Sequence, residues 1–306
     1  MIDVVPTIPE DGAPGFFARN RLRRLVIGIV ITTALAAAYL FGIQSYRAGL
    51  DQAFPEQQPP TGGVSVLIVP DTVTPASQEL PVSVLLFPSS SLVDAEGLLT
   101  REIEIRIQPA LSGSTLIFPA GDAPSPQSVM LPASGMVQQY PLDRYTVAAQ
   151  VRAHSIYADV TEALPVQAAM YFRVPGWSGQ DAVAGASTSG AAAVSMQLVR
   201  DGSTKSIAFL LLLLMVVLAL IAILVTGSST RGRMKLDLSV AAWMTALLFA
   251  LIPLRGFFPG APPLGSWMDI LVFFWVELIL MLAVAAVAGT ILMRARDAAH
   301  HPQELP

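Results

Sequence analysis

Cysteine is absent from this chain, and charged residues are scarce. Without cysteine the protein cannot form disulfides, thiolate metal sites, iron–sulfur clusters or a cysteine nucleophile. Only 13% of the 306 residues are charged and 53% are hydrophobic, whereas about a quarter of the residues in a soluble domain are charged. This composition indicates a membrane protein, and the formal net charge of −4 argues against nucleic-acid binding.

The residue patterns of common enzyme sites are also missing. The sequence has three histidines, of which only His154 lies between the first two apolar runs, and a catalytic triad needs a histidine oriented beside a nucleophile. Metallopeptidase, nucleophile-elbow and phosphate-loop motifs do not occur. Glu102 and Glu104 alternate with isoleucines, as on the solvated face of a strand. We therefore expect a non-enzymatic protein with no catalytic residue, no metal and no cofactor.

Four apolar runs are long enough to cross a bilayer. A transmembrane helix needs about 17–25 residues, and the runs that meet this requirement are 25–43, 206–227, 238–254 and 270–293. Lysine and arginine cluster before the first run, between the second and the third, and after the fourth. Because cytoplasmic loops are enriched in these residues, we expect a multi-pass plasma-membrane protein with both termini in the cytoplasm and residues 44–205 outside.

This orientation divides the whole chain into segments. In order, they are a cytoplasmic N-terminal segment 1–24, span 25–43, an extended linker 44–63, an exported β domain 64–205, span 206–227, a cytoplasmic loop 228–237, span 238–254, an outer hairpin 255–269, span 270–293 and a cytoplasmic tail 294–306. The first run is longer than the core of a signal peptide, and no Ala-x-Ala cleavage site follows it. We therefore expect this run to remain attached as an anchor.

Alternation of apolar and polar residues dominates the exported segment. In REIEIRIQ, 101–108, three isoleucines alternate with charged or polar residues, which is typical of a half-buried strand. Similar runs occur at 64–69, 80–87, 114–118, 145–153, 168–174 and 194–199. Their spacing predicts an immunoglobulin-like β-sandwich inserted between spans one and two of four transmembrane helices. The small-residue segment 181–193 is expected to form a mobile hairpin or loop.

The segment YPLDRY, Tyr140–Tyr145, is the most distinctive turn of the exported domain. Pro141 presets the backbone for a turn, and Asp143 can accept hydrogen bonds from nearby backbone N–H groups. Two interpretations stay open. The segment is a structural β-turn with its tyrosines packed beneath it, or it faces the membrane and contacts the 255–269 hairpin through Asp143 and Arg144.

Two oppositely charged residues, Arg255 and Asp269, flank the 255–269 hairpin. They are expected to pair across it and to fix how the last two spans meet. Small residues recur every fourth position in those spans, at Ala242, Ala246 and Ala250 in the third span and at Ala285 and Gly289 in the fourth. Such stripes let helix backbones approach closely, so we expect them to be packing faces.

Glu277 interrupts the otherwise apolar segment DILVFFWVELILML, 269–282. A charged, unpaired carboxylate at this depth is costly unless it is protonated, hydrogen-bonded to a group such as Thr245 or the Trp243 indole, or placed beside a water-filled path. No second ionisable residue lies in the core of any span, so a proton relay within the chain is incomplete. We expect Glu277, Trp275 and Trp243 to form an intramembrane contact or partner-binding site. A channel or transporter component using Glu277 is the alternative.

Three segments resemble an actinobacterial membrane-protein family, domain of unknown function 4436. They are YPLDRY, GRMKLDLSVAAWMTALLFALIPLR (232–255) and FPGAPPLGSWMDILVFFWVEL (258–278). The resemblance extends over nearly the whole chain beyond the linker and implies an anchor, an exported β domain and a three-span tail. YPLDRY is also similar in shape to the loop through which the β-sandwich of pentameric ligand-gated channels contacts their membrane domain, although this chain lacks that loop's flanking cysteines.

These observations predict a protein of the actinobacterial cell envelope whose exported domain binds a partner or an envelope component. The expected partners are the lipid bilayer and either another membrane protein or further copies of this chain. No nucleic acid is expected among them.

Overall fold

A computed structural model of the protein describes residues 56–157, 160–188, 190–231 and 238–300, and scattered positions between 28 and 47. Within this part of the chain, two β-sheets over residues 64–200 are followed by three apolar helices. Each of the three helices is long and apolar enough to cross a membrane.

Twelve strands of the described residues form the two sheets. They are β1 (Val64–Pro70), β2 (Glu79–Pro88), β3 (Glu102–Gln108), β4 (Thr115–Phe118), β5 (Gln127–Pro132), β6 (Ser134–Gly135), β7 (Arg144–Tyr157), β8 (Val160–Ala163), β9 (Val166–Met170), β10 (Trp177–Val183), β11 (Gly185–Ser187) and β12 (Ala191–Arg200). The first sheet has the order β11-β9-β1-β2-β5. The second has the order β10-β12-β7-β3-β4, with β6 and β8 also paired to β7. β1 and β9 are parallel, whereas the other pairs are antiparallel.

The core lies between the two sheets and follows the alternation of the sequence. The three isoleucines of β3 are fully buried, and every second residue of β7 from Tyr145 to Ala153 faces the same core. Successive side chains of a strand point to opposite faces, so the apolar set of each strand is buried together. The prediction of a β-sandwich-like domain is confirmed at this level.

Two local predictions in the β domain need correction. The strand expected over 168–174 ends at Met170. Of the two alternatives for 181–193, the structure agrees with the hairpin and not with the loop, because the segment contributes to three strands and connects the antiparallel pair β10 and β12. β11 pairs with β9, and a Cβ atom on Gly185 would overlap the backbone of Ala193. Small side chains in this segment therefore permit a close approach of backbones and do not signal an irregular loop.

The three long helices are α1 (Gly202–Thr230), α2 (Leu238–Gly256) and α3 (Phe274–His300), the last continuing a π-helical turn over Asp269–Phe273. α1 begins directly after β12, and the side chain of Asp201 caps it by accepting a hydrogen bond from the Thr204 N–H at 2.7 Å. α3 packs against both other helices. Its buried residues recur at helical spacing, at Val276, Leu280, Ala283 and Val287.

The small-residue stripes of the last two spans do not pack within the described chain. Ala242, Ala246 and Ala250 are exposed, whereas Met244 and Leu251 form the buried side of α2. Residues two positions apart lie on nearly opposite sides of a helix with 3.6 residues per turn, so burial of Met244 turns the alanine stripe outward. Ala285 is exposed as well, and a Cβ atom on Gly289 would meet no atom within 4 Å. The small residues buried between helices are mainly alanines of α1.

Seven of the 19 residues of the predicted first span, 25–43, lie outside the described residues, and the helix Leu35–Gln44 is shorter than a span. The described order is therefore a β domain followed by three helices, which differs from the predicted order of a span, a β domain and three spans. Four spans and an immunoglobulin-like topology stay predictions. The segments 1–24, most of the linker before residue 56, the loop residues 232–237 and the tail residues 301–306 also lie outside the described residues.

Candidate functional site

The β domain and the helices meet at a buried ion pair. Arg200 ends β12, one residue before the cap of α1, and Asp143 directly precedes β7. Arg200 Nε lies 3.2 Å from Asp143 Oδ1, and Arg200 Nη2 lies 3.2 Å from Asp143 Oδ2. Both side chains are almost completely buried, at 2% and 0% exposure.

Aromatic rings surround this ion pair. The guanidinium carbon of Arg200 lies 4.0 Å from the ring centroid of Trp177 and 5.0 Å from that of Tyr140. Tyr145 packs edge-on against Trp177 with a centroid distance of 5.6 Å. A desolvated guanidinium is stabilised by such ring faces as well as by its carboxylate. We call Tyr140, Asp143, Tyr145, Trp177 and Arg200 the junction.

The strand register explains why the junction forms. The core-facing positions of β12 are occupied by Val194, Met196, Leu198 and Arg200. The arginine therefore lies at a position where the alternation predicts an apolar residue. Trp177 pairs directly with Arg200 across the β10–β12 ladder. Pairing of β12 with β7 brings the end of β12 to the YPLDRY turn, because Val199 is opposite Arg144.

The 255–269 hairpin is closed by its own ion pair. Arg255 Nη2 lies 3.0 Å from Asp269 Oδ2, and Arg255 Nε lies 3.2 Å from Oδ1. Asp269 Oδ2 also accepts hydrogen bonds from the Gly265 N–H at 2.9 Å and the Ser266 hydroxyl at 3.2 Å. Arg255 Nη2 donates to the Pro262 carbonyl at 2.8 Å. The structure thus brings the predicted partners Arg255 and Asp269 together in a hydrogen-bonded loop.

The 255–269 hairpin lies against the junction. Tyr140 packs edge-on against Phe258 with a centroid distance of 6.3 Å, and both belong to the apolar cluster of the helices. The backbone of Gly260 is so close to Arg200 that a Cβ atom there would overlap Nη1 of the guanidinium. Gly260 has a φ of +77°, a conformation that favours glycine. The ion pair of the β domain is therefore covered by the connection between α2 and α3.

A second connection joins the β domain to the start of α1. The carbonyl of Gly176 accepts hydrogen bonds from the Asp201 N–H at 3.1 Å and from the Thr204 hydroxyl at 3.0 Å. Gly176 directly precedes β10, the strand that contains Trp177. The junction is thus held both from the α1 side and from the 255–269 hairpin.

Burial raises the pKa of the Tyr140 and Tyr145 hydroxyls above their usual range. The negative charge of Asp143 adds to the rise at Tyr145, whereas the positive charge of Arg200 partly opposes it at Tyr140. Both phenols therefore stay neutral at physiological pH. The charges of the junction are those of Asp143 and Arg200, which balance each other.

The residues of YPLDRY divide between the two faces of the turn. Tyr140, Pro141, Asp143 and Tyr145 are buried, whereas Arg144 is exposed. We expected contact with the 255–269 hairpin through Asp143 and Arg144. The structure makes a contact with the hairpin through Tyr140, and Asp143 pairs with Arg200, which the hairpin covers.

Arg200 and Trp177 were missed by the sequence reasoning. The available signal for Arg200 was a charged residue at a core-facing position of a strand, immediately before an apolar run. Trp177 follows the turn signal Pro175-Gly176, which predicts the start of a strand. Neither signal identifies the partner residue, which is 57 positions away for the ion pair.

The predicted intramembrane residues lie apart from the junction. Glu277 is half-buried, about 12 Å along the helix from Asp269 at 1.5 Å per residue. Within the part of the chain that the structure describes, its carboxylate has no hydrogen bond or ion pair. The hydroxyl of Thr245 donates to the Ala241 carbonyl at 2.9 Å. Trp243 and Trp275 are exposed on the outside of the helices.

Two family models match the chain. Residues 54–198 match Domain of unknown function (DUF4436), and residues 200–294 match Domain of unknown function (DUF8686). Of the three segments that resemble the first family, only YPLDRY lies inside its match, and the other two lie within the second. No curated protein matches the chain.

The boundary between the two matches coincides with the junction. Asp143 lies in the first match and Arg200 is the first residue of the second, so the buried ion pair joins the two units. The Gly260 backbone that covers Arg200 also lies in the second match. The β domain thus matches the DUF4436 model and the three helices match the DUF8686 model, both being domains of unknown function.

Proposed function

We propose that this chain is a non-enzymatic plasma-membrane protein that presents its β domain outside the membrane in a fixed orientation. The β domain would bind another protein or a component of the actinobacterial cell envelope. The observation that carries the proposal is the Asp143–Arg200 pair, which is buried where the two units meet and is covered by the 255–269 hairpin. A domain that needs only an anchor can be held by a flexible linker, whereas the buried contacts of this one with its helices support a fixed orientation.

The cost of burying the pair supports an orienting role. Taking two charges out of water costs several kcal/mol per ion, and apolar residues of similar volume are often at least as stabilising. Buried ionic groups are best attested where they fix the register of one element against another. At the junction, the elements to be fixed against each other are the β domain on one side and α1 with the 255–269 hairpin on the other.

The proposed topology has four spans, cytoplasmic termini and an immunoglobulin-like β-sandwich between spans one and two. Its support is the placement of the described elements. The β domain and the 255–269 hairpin lie at one end of the helices, whereas Arg231 and Arg294 lie at the other end. There Arg294 Nη2 donates to the Ser229 carbonyl at 3.4 Å. Basic residues at that end agree with a cytoplasmic location.

Gly260→Ala is expected to release the β domain from its fixed orientation, because the new methyl group would overlap the Arg200 guanidinium. Spin labels at Ile117→Cys and Ile270→Cys, in a chain without native cysteine, report the orientation as a distance distribution. We expect a narrow distribution in the parent chain and a broad one with Gly260→Ala. A broad distribution in the parent chain would show that the orientation is not fixed.

The matched control is Gly265→Ala in the same hairpin. Gly265 also has a positive φ, of +88°, but a Cβ atom there would meet nothing within 4 Å. Both substitutions place an alanine in a left-handed backbone conformation, which costs about 1–2 kcal/mol. Only the overlap with Arg200 therefore distinguishes the two variants.

If a partner recognises the oriented domain, it should co-purify from native membranes with the parent chain and Gly265→Ala but less with Gly260→Ala. Recovery of a lone monomer in every case would contradict the partner role.

A channel or transporter component using Glu277 is the second candidate. The observation that favours it is a half-buried carboxylate inside an apolar helix without a partner among the described residues. In proteoliposomes this candidate requires ion or proton flux that Glu277→Gln abolishes, with the exposed Glu96→Gln as control. Under our leading proposal, vesicles with the parent chain show no flux above empty vesicles. In that case Glu277, Trp275 and Trp243 remain for contact with a membrane protein or a second copy.

A further inference from the structure

Two large apolar side chains stand exposed at the base of the β domain. Met136 is 62% exposed and Leu142 is 52% exposed. They belong to one compact turn, because the Gln139 N–H donates to the Met136 carbonyl and the Leu142 N–H donates to the Gln139 carbonyl. Neither residue contributes to the core between the sheets.

This turn lies at the end of the apolar helices that adjoins the β domain. Tyr140, between the two exposed residues, is buried in one apolar cluster with Phe258, Met268 and Phe273. Phe273 belongs to the π-helical turn that opens the last membrane helix. The side chains of this turn are therefore fixed close to the end of the apolar helices.

The 255–269 hairpin exposes further apolar side chains beside the same cluster. Leu264 is 78% exposed, and Phe257 and Trp267 are also exposed, while their neighbours Phe258 and Met268 are buried against the helices. We call Met136, Leu142, Phe257, Leu264 and Trp267 the basal collar. Tryptophan and phenylalanine beside a membrane helix are typical of the interface between headgroups and acyl chains.

The charge next to the basal collar fits a lipid surface. Arg144 is exposed two residues after Leu142, and the hairpin's own charges, Arg255 and Asp269, are paired with each other. Apolar side chains flanked by an exposed cation are typical of protein segments that lie in the interfacial layer of phospholipids.

We infer that the basal collar inserts into the headgroup and acyl boundary of the outer leaflet, with Met136 and Leu142 as direct phospholipid contacts of the β domain. The inference rests on the proposed topology, in which the β domain lies outside the membrane. It adds a lipid-binding surface to a domain otherwise expected only to project into the aqueous phase.

The test uses single cysteines labelled with an environment-sensitive fluorophore in the full chain, reconstituted into phosphatidylcholine–phosphatidylglycerol vesicles. Leu142→Cys and Met136→Cys report the β-domain turn, and Leu264→Cys reports the hairpin. Ile117→Cys is the control, since it is 50% exposed but lies far from the turn, at the level of His154 in the sheet, with Glu104 of β3 between the two residues. That position is about 33 Å along β7 from Arg144 at 3.3 Å per residue.

We expect a lipid-attached nitroxide near the headgroup to quench the probes at 142, 136 and 264 severalfold more than the probe at 117. Aqueous iodide should show the reverse order. Quenching of 264 but not of 142 and 136 by lipid would overturn the inference while leaving the proposed topology intact. If the probes at 142 and 136 were shielded from both quenchers, the turn would be covered by a protein partner, and this result would also overturn the inference. Failure of lipid to quench 264 would count against the topology itself.

Discussion

Asp143→Ala is expected to lower the free energy of unfolding of the β domain by about 3–5 kcal/mol, because it leaves the buried Arg200 guanidinium without a counter-charge. The ring faces of Trp177 and Tyr140 remain, but cation–π attraction contributes only about 0.5–2 kcal/mol and cannot replace the carboxylate. Denaturant titration of the full chain in detergent, followed by the near-ultraviolet signal of the β domain, measures the loss. Trp177 is the natural reporter because it contacts the arginine.

The exposed pair Arg101–Glu162 provides the control for this experiment. Its charged atoms are 3.6 Å apart, and both side chains are largely exposed, at 42% and 67%. Glu162→Ala should therefore change the stability by no more than about 1 kcal/mol. If Asp143→Ala costs as little as Glu162→Ala, the Asp143–Arg200 pair does not hold the junction.

Replacing both charges separates the pair's contribution from the cost of leaving one charge alone. The double variant Asp143→Leu/Arg200→Met should recover most of the stability lost in Asp143→Ala, since buried ion pairs can often be replaced by apolar residues of similar volume. We expect its spin-label distance distribution between positions 117 and 270 to be broader than that of the parent chain. Recovery of stability without recovery of orientation would assign the ion pair its orienting role.

Much of the β domain could be predicted because alternation reports burial directly. In β3 and β7 the apolar set recurs at every second residue, and those residues are the buried ones. The long helices could also be predicted from the sequence, because a helix with lipid on most of its surface must consist of a long apolar run. In contrast, small residues gave misleading signals, both in the strand segment 181–193 and in the outward-facing alanines of α2. Small side chains permit a close approach of another backbone, but they do not indicate which segment of the chain approaches.

The junction could be predicted only in part, because it depends on register between distant strands. Arg255 and Asp269 flank one short hairpin, so their pairing follows from local geometry. Asp143 and Arg200 meet because β7 and β12 pair with Val199 opposite Arg144. A shift of this register by one residue would move Arg200 from the core face to the solvent face. No property of the two residues themselves specifies that register.

Asp269→Ala is expected to free the 255–269 hairpin and with it the orientation of the β domain, while leaving the β domain itself folded. Asp269 is fully buried and accepts hydrogen bonds from Arg255, the Gly265 N–H and the Ser266 hydroxyl. Loss of the carboxylate leaves Arg255 without its counter-charge, and breaking a buried pair from one side costs about 3–5 kcal/mol. Phe258 and Gly260 lie within the same hairpin, so their contacts with Tyr140 and Arg200 should loosen together.

Three measurements on one set of variants distinguish this outcome from the loss of Asp143. Protease cleavage within 255–269 should become faster in Asp269→Ala, and the distance distribution between labels at 117 and 270 should broaden. The denaturant midpoint of the β domain should stay close to that of the parent chain, whereas Asp143→Ala lowers it. Asp297→Ala, at an exposed aspartate near the far end of α3, should change none of the three. A narrow distance distribution in Asp269→Ala would mean that the β domain is held from α1 alone, through the Gly176 carbonyl, and that the hairpin only covers a junction already fixed.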